Sequence, residues 1–181
     1  RECRRRCAQI IPQDPVLFSG TIKSCLDPFD QRTDDEVREA LDLVLPGRAP
    51  PLDAEVSDGG ATYSIGERQL LAMARALLER PRVLVMDEAT SSVDGDTDAR
   101  VQAMLRDLPQ LASTTTLTVA HRLHTIIDYD EIVVLDAGKC VEAGAPRDLV
   151  QLPNGWFSAL VDSTSPATAA ALRRAALASR S

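Results

Sequence analysis

Asp87 and Glu88 stand side by side at the end of an apolar run, Val83-Leu84-Val85-Met86. Neighbouring carboxylates resist ionising together, so holding a pair at the end of a core element implies a task for it. A short apolar run of this kind predicts a strand buried on both faces. The carboxyl end of such a strand is where α/β sheets present ligand-binding groups. There Asp87 can hold a magnesium ion on nucleotide phosphates, and Glu88 can orient an attacking water. A plainer task is open to both acids, capping the helix that follows.

A second group lies upstream, in Tyr63-Ser64-Ile65-Gly66-Glu67-Arg68-Gln69. Ser64 and Glu67 have the spacing of a capping box. Such a box does not need Gly66, and glycine inside a helix costs ~1 kcal/mol relative to alanine. Gly66 is accounted for if another backbone or a phosphate comes close. A helix N-terminus with a hydroxyl and free amides can receive phosphate. His121 follows directly on the β-branched run Thr115–Val119, a placement that favours a functional role over a surface one. His124, and the Trp156-Phe157 pair, read as ordinary packing or surface residues.

These groups must be positioned by alternating strands and helices. Ala8–Ile11, Val83–Met86 and Thr115–Val119 read as strands. Thr33 to Glu36 is a capping box opening a helix with Val37, Ala40, Leu41 and Val44 on one face, closed by Pro46-Gly47. Residues 46–62 read as a linker, and Ser64 to about Arg80 as a second helix stopped by Pro81. Val101, Met104, Leu105 and Leu108 mark another helical face. Leu123, Ile126 and Ile127 make a short turn of helix. Ile132–Leu135 and Lys139–Glu142 read as a hairpin around Asp136-Ala137-Gly138, with a helix from Pro146 to near Leu152. The alternation predicts an α/β fold with a mostly parallel sheet, and a helical block over about residues 21–80 inserted off it. After Val161 the composition narrows to Ala, Ser, Thr and Arg, a low-complexity tail or frayed helix.

Composition removes several function classes. The 181 residues suit one domain with a tail, and 44% hydrophobic content supports a sizeable core. Net charge is −7 and only 3% of residues are aromatic, which argues against a nucleic-acid surface. Its one basic cluster, in residues 1–6, reads as a solvated flank. Cys3, Cys7, Cys25 and Cys140 form no C-x-x-C pair and are not placed with the two histidines, so a metal site built on them is not expected. A disulfide framework is not expected either, and the thiols read as reduced. No apolar run reaches the ~18–20 residues needed to span a bilayer. An opening at Arg1, directly ahead of a strand, reads as a cut rather than a natural start.

In order along residues 8–161, the motifs resemble the later part of a nucleotide-binding domain of the ATP-binding cassette (ABC) transporters. "IIPQDPVLFSGTI" resembles the Q-loop, "YSIGERQ" the signature motif and "VLVMDEAT" the Walker B strand. "SSVD" resembles the D-loop, "TVAHRL" the switch-histidine loop, and "IVVLDAGKCVEAGAPRDLV" the closing hairpin and helix. "PVLFSGTIKSCLDPFD" and "LDAEVSDGG" are similar to the second cassette of the C subfamily, the multidrug resistance-associated type.

The resemblance implies a P-loop NTPase-like fold, with residues 1–162 as the C-terminal part of the cassette and 163–181 as a tail. It also implies ATP and magnesium as cofactors. Asp87 would bind magnesium; Glu88 would be the general base; His121 would contact the γ-phosphate. Gln13 would touch magnesium and its water while sensing the transmembrane domains. Ser64 and Gly66 would close over an ATP held mainly by the partner cassette, and Asp94 would bridge the two cassettes. The implied partners are that second cassette and the transmembrane domains of the same transporter, with no nucleic acid. The implied place is the cytoplasmic face of a membrane, and the implied activity ATP-driven export of organic anions or conjugates. Two other readings are a soluble ABC ATPase of DNA repair or translation, and a non-catalytic cassette fragment.

The sequence departs from the family pattern twice. No G-x-x-x-x-G-K-[ST] occurs, since Gly138-Lys139 lacks the earlier glycine and the following hydroxyl residue. The Walker A cradle is therefore expected upstream of Arg1. The signature carries Tyr63, Ile65 and Glu67 where the common pattern reads Leu-Ser-Gly-Gly-Gln. Glu67 would repel a γ-phosphate unless it turns back to cap its own helix.

Overall fold

The computed structural model describes residues 7–90 and 92–178, Gln110 by its backbone alone. The basic run of residues 1–6 with Cys3, Ser91 of the "SSVD" segment and residues 179–181 lie outside that set. Two compact units make up the chain, one ending at Val119 and one beginning at Ala120.

In the first unit, strands β1 (Ala8–Ile11), β4 (Val83–Asp87) and β5 (Thr115–Val119) form a parallel sheet in the order β1-β4-β5. Its register aligns Ile10, Val85 and Leu117 across the sheet, and Asp87 with Val119. The central strand is buried on one face, not both. Leu84 and Met86 are sealed on the inner face, whereas Val83 and Val85 are half-buried. Their neighbours on that outer face, Ile10, Leu117 and Val119, remain 59%, 59% and 53% exposed. Parallel strands carry apolar residues toward both faces because both are normally covered.

Between β1 and β4 lies the helical block. It contains α1 (Ile22–Leu26), α2 (Asp34–Val44) and α3 (Ile65–Glu79). Thr33 and Glu36 make the expected reciprocal cap on α2, and Val37, Ala40, Leu41 and Val44 are buried. Thr21 and Ser24 make a second capping box, on α1. The block shares one apolar core with the sheet, running from Ile11, Leu84 and Met86 through Leu71 and Leu77 to Val37 and Leu41. Residues 46–62 are more than a linker. They hold β3 (Glu55–Val56), antiparallel to β2 (Gly20–Thr21), and the Ala54 and Leu52 carbonyls accept from the Ile22 and Lys23 amides. Backbone pairing captures this stretch despite its Pro- and Gly-rich composition. After β4, α4 (Gly95–Asp107) buries Val101 and lays Met104 and Leu105 against the core.

The second unit comprises α5 (Leu123–Ile126), the hairpin β6 (Ile132–Asp136) and β7 (Lys139–Gly144), α6 (Pro146–Leu149), α7 (Trp156–Asp162) and α8 (Pro166–Ala178). Ala137 and Gly138 both take positive φ, 45° and 75°, the two-residue turn that matches hairpin twist. Phe157 is buried and Trp156 half exposed, with the Glu142 carboxylate accepting both their amides at 2.7 and 3.2 Å. Residues 166–178 of the expected tail form helix α8. Leu172 and Ala176 are buried beside Phe157 and Val161, and the Arg173 guanidinium bonds both Asp162 carboxylate oxygens, Ser158 and the Val150 carbonyl. With Ala169 packed against the same cluster, these contacts and the multiply bonded arginine seat the alanine-rich helix. Among the described residues no helix is long and apolar enough to cross a membrane.

Candidate active site

At the carboxyl end of β4 the chain leaves extended geometry abruptly. Asp87 is exposed, and Glu88 takes a left-handed φ of 49°. A non-glycine residue is held in that region only when its surroundings over-determine it. Here the Glu88 amide donates to the Val119 carbonyl of β5 at 3.0 Å. The half-buried Glu88 side chain meets the loop after β1, where Gln13 Nε2 donates to Glu88 Oε2 at 3.2 Å. Two strands of the sheet thus bring Gln13 and Glu88 together beside Asp87, although 75 positions separate the bonded pair.

Neither Asp87 nor Glu88 caps the next helix. Helix α4 begins at Gly95, and its N-cap is Asp94, which accepts from the Thr97 amide at 3.0 Å and the Thr97 hydroxyl at 2.8 Å. Those bonds, the amide's first, hold the Asp94 carboxyl below the ordinary aspartate range. Asp94 is thus occupied with its own helix in this structure.

Ser64 and Glu67 cap α3 reciprocally. The Ser64 amide and hydroxyl both donate to Glu67 Oε2, at 2.9 and 2.8 Å, while the Ser64 hydroxyl accepts from the Glu67 amide at 3.2 Å. The bond from the Ser64 amide, then that from its hydroxyl, keep the Glu67 carboxyl below the ordinary glutamate range. Glu67 does turn back on its own helix. In doing so it takes the single hydroxyl proton of Ser64 and leaves a negative charge at the helix N-terminus. Gly66 is buried against the segment before α4. A Cβ there would lie 3.0 Å from the Ser92 carbonyl oxygen and 3.1 Å from Val93 Cγ1. The close backbone approach anticipated at Gly66 is this one.

The last two residues of the signature segment carry contacts that the motif itself does not announce. Arg68 pairs with Asp14 at 2.9 Å and donates to the Pro15 carbonyl at 3.1 Å. Gln69, 2% exposed, donates to the Gln13 carbonyl at 2.8 Å. The signal lay in the pattern: Gly66, Gln69, Leu70 and Met73 recur at helical spacing in a helix buried over most of its surface, and a glutamine there calls for a partner.

His121 belongs to the second unit, in the bend before α5, and is exposed. With Arg122 and His124 it lines a cavity of about 450 Å³ whose other walls include Ser163, Thr168 and Leu172. His124, read as an ordinary residue, therefore faces the same space as His121.

A parallel sheet connected by helices, with paired acids at the carboxyl end of its central strand and a glutamine bonded to one of them, defines an α/β class whose candidate site lies at that strand end. The family model described as ABC transporter matches residues 1–91, and the chain belongs to that family. Within it, the chain is similar to C-subfamily proteins. It is 49% identical over 181 residues to ABC transporter C family member 3 of Dictyostelium discoideum, covering 97% of this chain and 13% of that protein. Identity is 43% to ATP-binding cassette sub-family C member 4 of Mus musculus (95% and 13% covered) and 44% to sub-family C member 2 of Homo sapiens (82% and 10% covered). The chain thus spans about an eighth of the length of these relatives. Among solved structures, a bacterial Atm1-family ABC exporter with ATP bound superposes with a TM-score of 0.80 at 34% identity, covering 89% of this chain and 29% of that one.

Proposed function

We propose that this chain supplies the hydrolytic carboxylates of the second cassette of a C-subfamily membrane transporter, where ATP hydrolysis drives export of organic anions or conjugates. The phosphate cradle would come from residues outside this sequence. The cassette would act at the cytoplasmic face of the membrane, paired with a second cassette and coupled to transmembrane domains. The observation that carries this reading is the 3.2 Å bond from Gln13 Nε2 to Glu88 Oε2 beside Asp87.

The donor set suits magnesium, a hard cation that takes oxygen ligands and keeps several waters. Asp87 and the Gln13 amide oxygen would hold it. Among the described residues no group of three or more His, Cys, Asp or Glu could hold a metal ion alone, so the ion would arrive on the nucleotide's phosphates. When bound, magnesium-ATP supplies the phosphoryl group and neutralises its charge. Glu88 accepts a hydrogen bond from the hydrolytic water and polarises it. Gln13 fixes which carboxylate oxygen faces the water. His121 is assigned to the γ-phosphate. Ser64, Gly66 and Asp94 are assigned to the interface with the partner cassette. There Glu67, already bonded to Ser64, makes the second ATP contact weak.

The test uses the full-length transporter. Glu88→Gln keeps the side chain's shape and removes the base, so ATP should be retained while hydrolysis at this cassette falls by ~10²-fold or more. Asp87→Asn should instead weaken magnesium-dependent nucleotide binding. Single-turnover hydrolysis and nucleotide retention are measured in both. Parental turnover in Glu88→Gln, or equal loss of ATP in the two variants, sinks the assignment.

A further inference from the structure

We infer that Gln69 is a positioning residue for hydrolysis, holding Gln13 and Glu88 in register from the buried face of α3. This inference rests on the role proposed above for Glu88. Gln69 is 2% exposed, and its Nε2 donates to the Gln13 carbonyl at 2.8 Å. A second, longer contact of 3.5 Å runs from the same nitrogen to the Glu88 carbonyl. One amide nitrogen therefore lies between the backbones of the two residues whose side chains meet at 3.2 Å.

Both backbones need such a restraint. Glu88 has a left-handed φ of 49°, a conformation that relaxes unless neighbours hold it. Gln13 lies in an exposed loop directly after β1, where nothing in the sheet ladder fixes it. Arg68, one position earlier on α3, grips the same loop at Asp14 and Pro15. The loop is thus bonded along three successive residues to one turn of helix.

The choice of glutamine is poorly explained by fold stability alone. Gln69 interrupts an apolar stripe of Gly66, Leu70 and Met73, and its Oε1 is buried with no hydrogen-bond partner. A buried polar atom left unpaired is a cost, and an apolar side chain of similar shape removes that cost while giving up the bond to the exposed Gln13 loop. Methionine is close to glutamine in length and volume, so what it lacks is the donor. Small displacements at a reacting centre are expensive, with about 1 Å costing as much as 10²-fold in rate.

The experiment compares Gln69→Met and Gln69→Glu with the parent in the full-length transporter, each also on a Glu88→Gln background. The second variant keeps the shape and replaces the donor by an acceptor facing two carbonyls. The measurements are kcat and KM for ATP, thermal midpoint, and hydrogen exchange over residues 12–16 and 87–90. The expected result for Gln69→Met is a kcat about tenfold lower, KM within about twofold, an unchanged or raised midpoint, and faster exchange in those two segments only. Gln69→Glu should lose more. On the Glu88→Gln background neither change should lower the residual rate further. The inference is overturned by an unchanged kcat, by a fall in midpoint that accompanies the loss of rate, or by an equal loss on both backgrounds. A parent whose turnover ignores Glu88→Gln shows a different failure, that of the proposed function, and this inference falls with it.

Discussion

Replacing Gly66 by alanine and, separately, Gly95 by alanine places the same methyl group at the start of two helices with opposite surroundings. At Gly95 the added Cβ meets nothing within 4 Å. At Gly66 it meets the Ser92 carbonyl oxygen at 3.0 Å and Val93 Cγ1 at 3.1 Å. Both changes reduce the freedom of the unfolded chain, a gain of about 0.4–1 kcal/mol where the native conformation suits alanine. Gly95→Ala should realise that gain. Gly66→Ala must also displace the backbone at Ser92, whose neighbour Val93 is tied by its amide to the Thr90 carbonyl at 3.3 Å. Overpacking of this kind costs about 1–3 kcal/mol. The net expectation is a loss of about 1 kcal/mol for Gly66→Ala, and a gap of about 1–3 kcal/mol between the two variants. For a domain of this size each kcal/mol moves the thermal midpoint by about 2–4 °C. Parallel thermal melts of the nucleotide-binding cassette carrying each change, without nucleotide, read the gap directly. If Gly66→Ala melts at or above Gly95→Ala, the contact with Ser92 is not the reason for glycine, and a ligand's approach becomes the better explanation.

Two further outcomes are expected. The carboxyls of Glu67 and Asp94 are held below their ordinary values of 4.5 and 3.8, so their contribution is full above those values and is lost as pH falls through the lowered folded ones. Thermal midpoints should therefore drop as pH is taken below about 4.5, and Glu67→Gln, which can still cap α3, should flatten the decline; an unaltered slope counts against the capping bonds as its source. The 181-residue chain expressed alone carries Ile10, Leu117 and Val119 exposed on one face of its sheet, and it should self-associate and bind a hydrophobic dye. A monomer in sedimentation velocity with no dye binding contradicts that.

The local elements were legible from the chain alone because their signals are short-range. The Thr33/Glu36 and Ser64/Glu67 boxes, the amphipathic stripe of α2 and the Asp136-Ala137-Gly138 turn depend on residues three or four apart. The motif order from Gln13 to His121 likewise sufficed to suggest the family. Tertiary structure decided what depends on residues far apart. It paired residues 46–62 with the start of the helical block, seated the alanine-rich tail through Leu172, Ala176 and Arg173, and left one face of β4 only half covered. It also separated explanations that the motifs left open. The helix after β4 is capped by Asp94 and not by the acid pair, and Gly66 lies against the Ser92 carbonyl. Gln69 shows the difference best. In sequence it is one polar residue in an apolar stripe, and only the meeting of α3 with the ends of β1 and β4 brings its amide within 2.8 Å of the Gln13 carbonyl. Side-chain periodicity is written within one turn of helix, whereas a bond across 56 positions exists only once the core has closed.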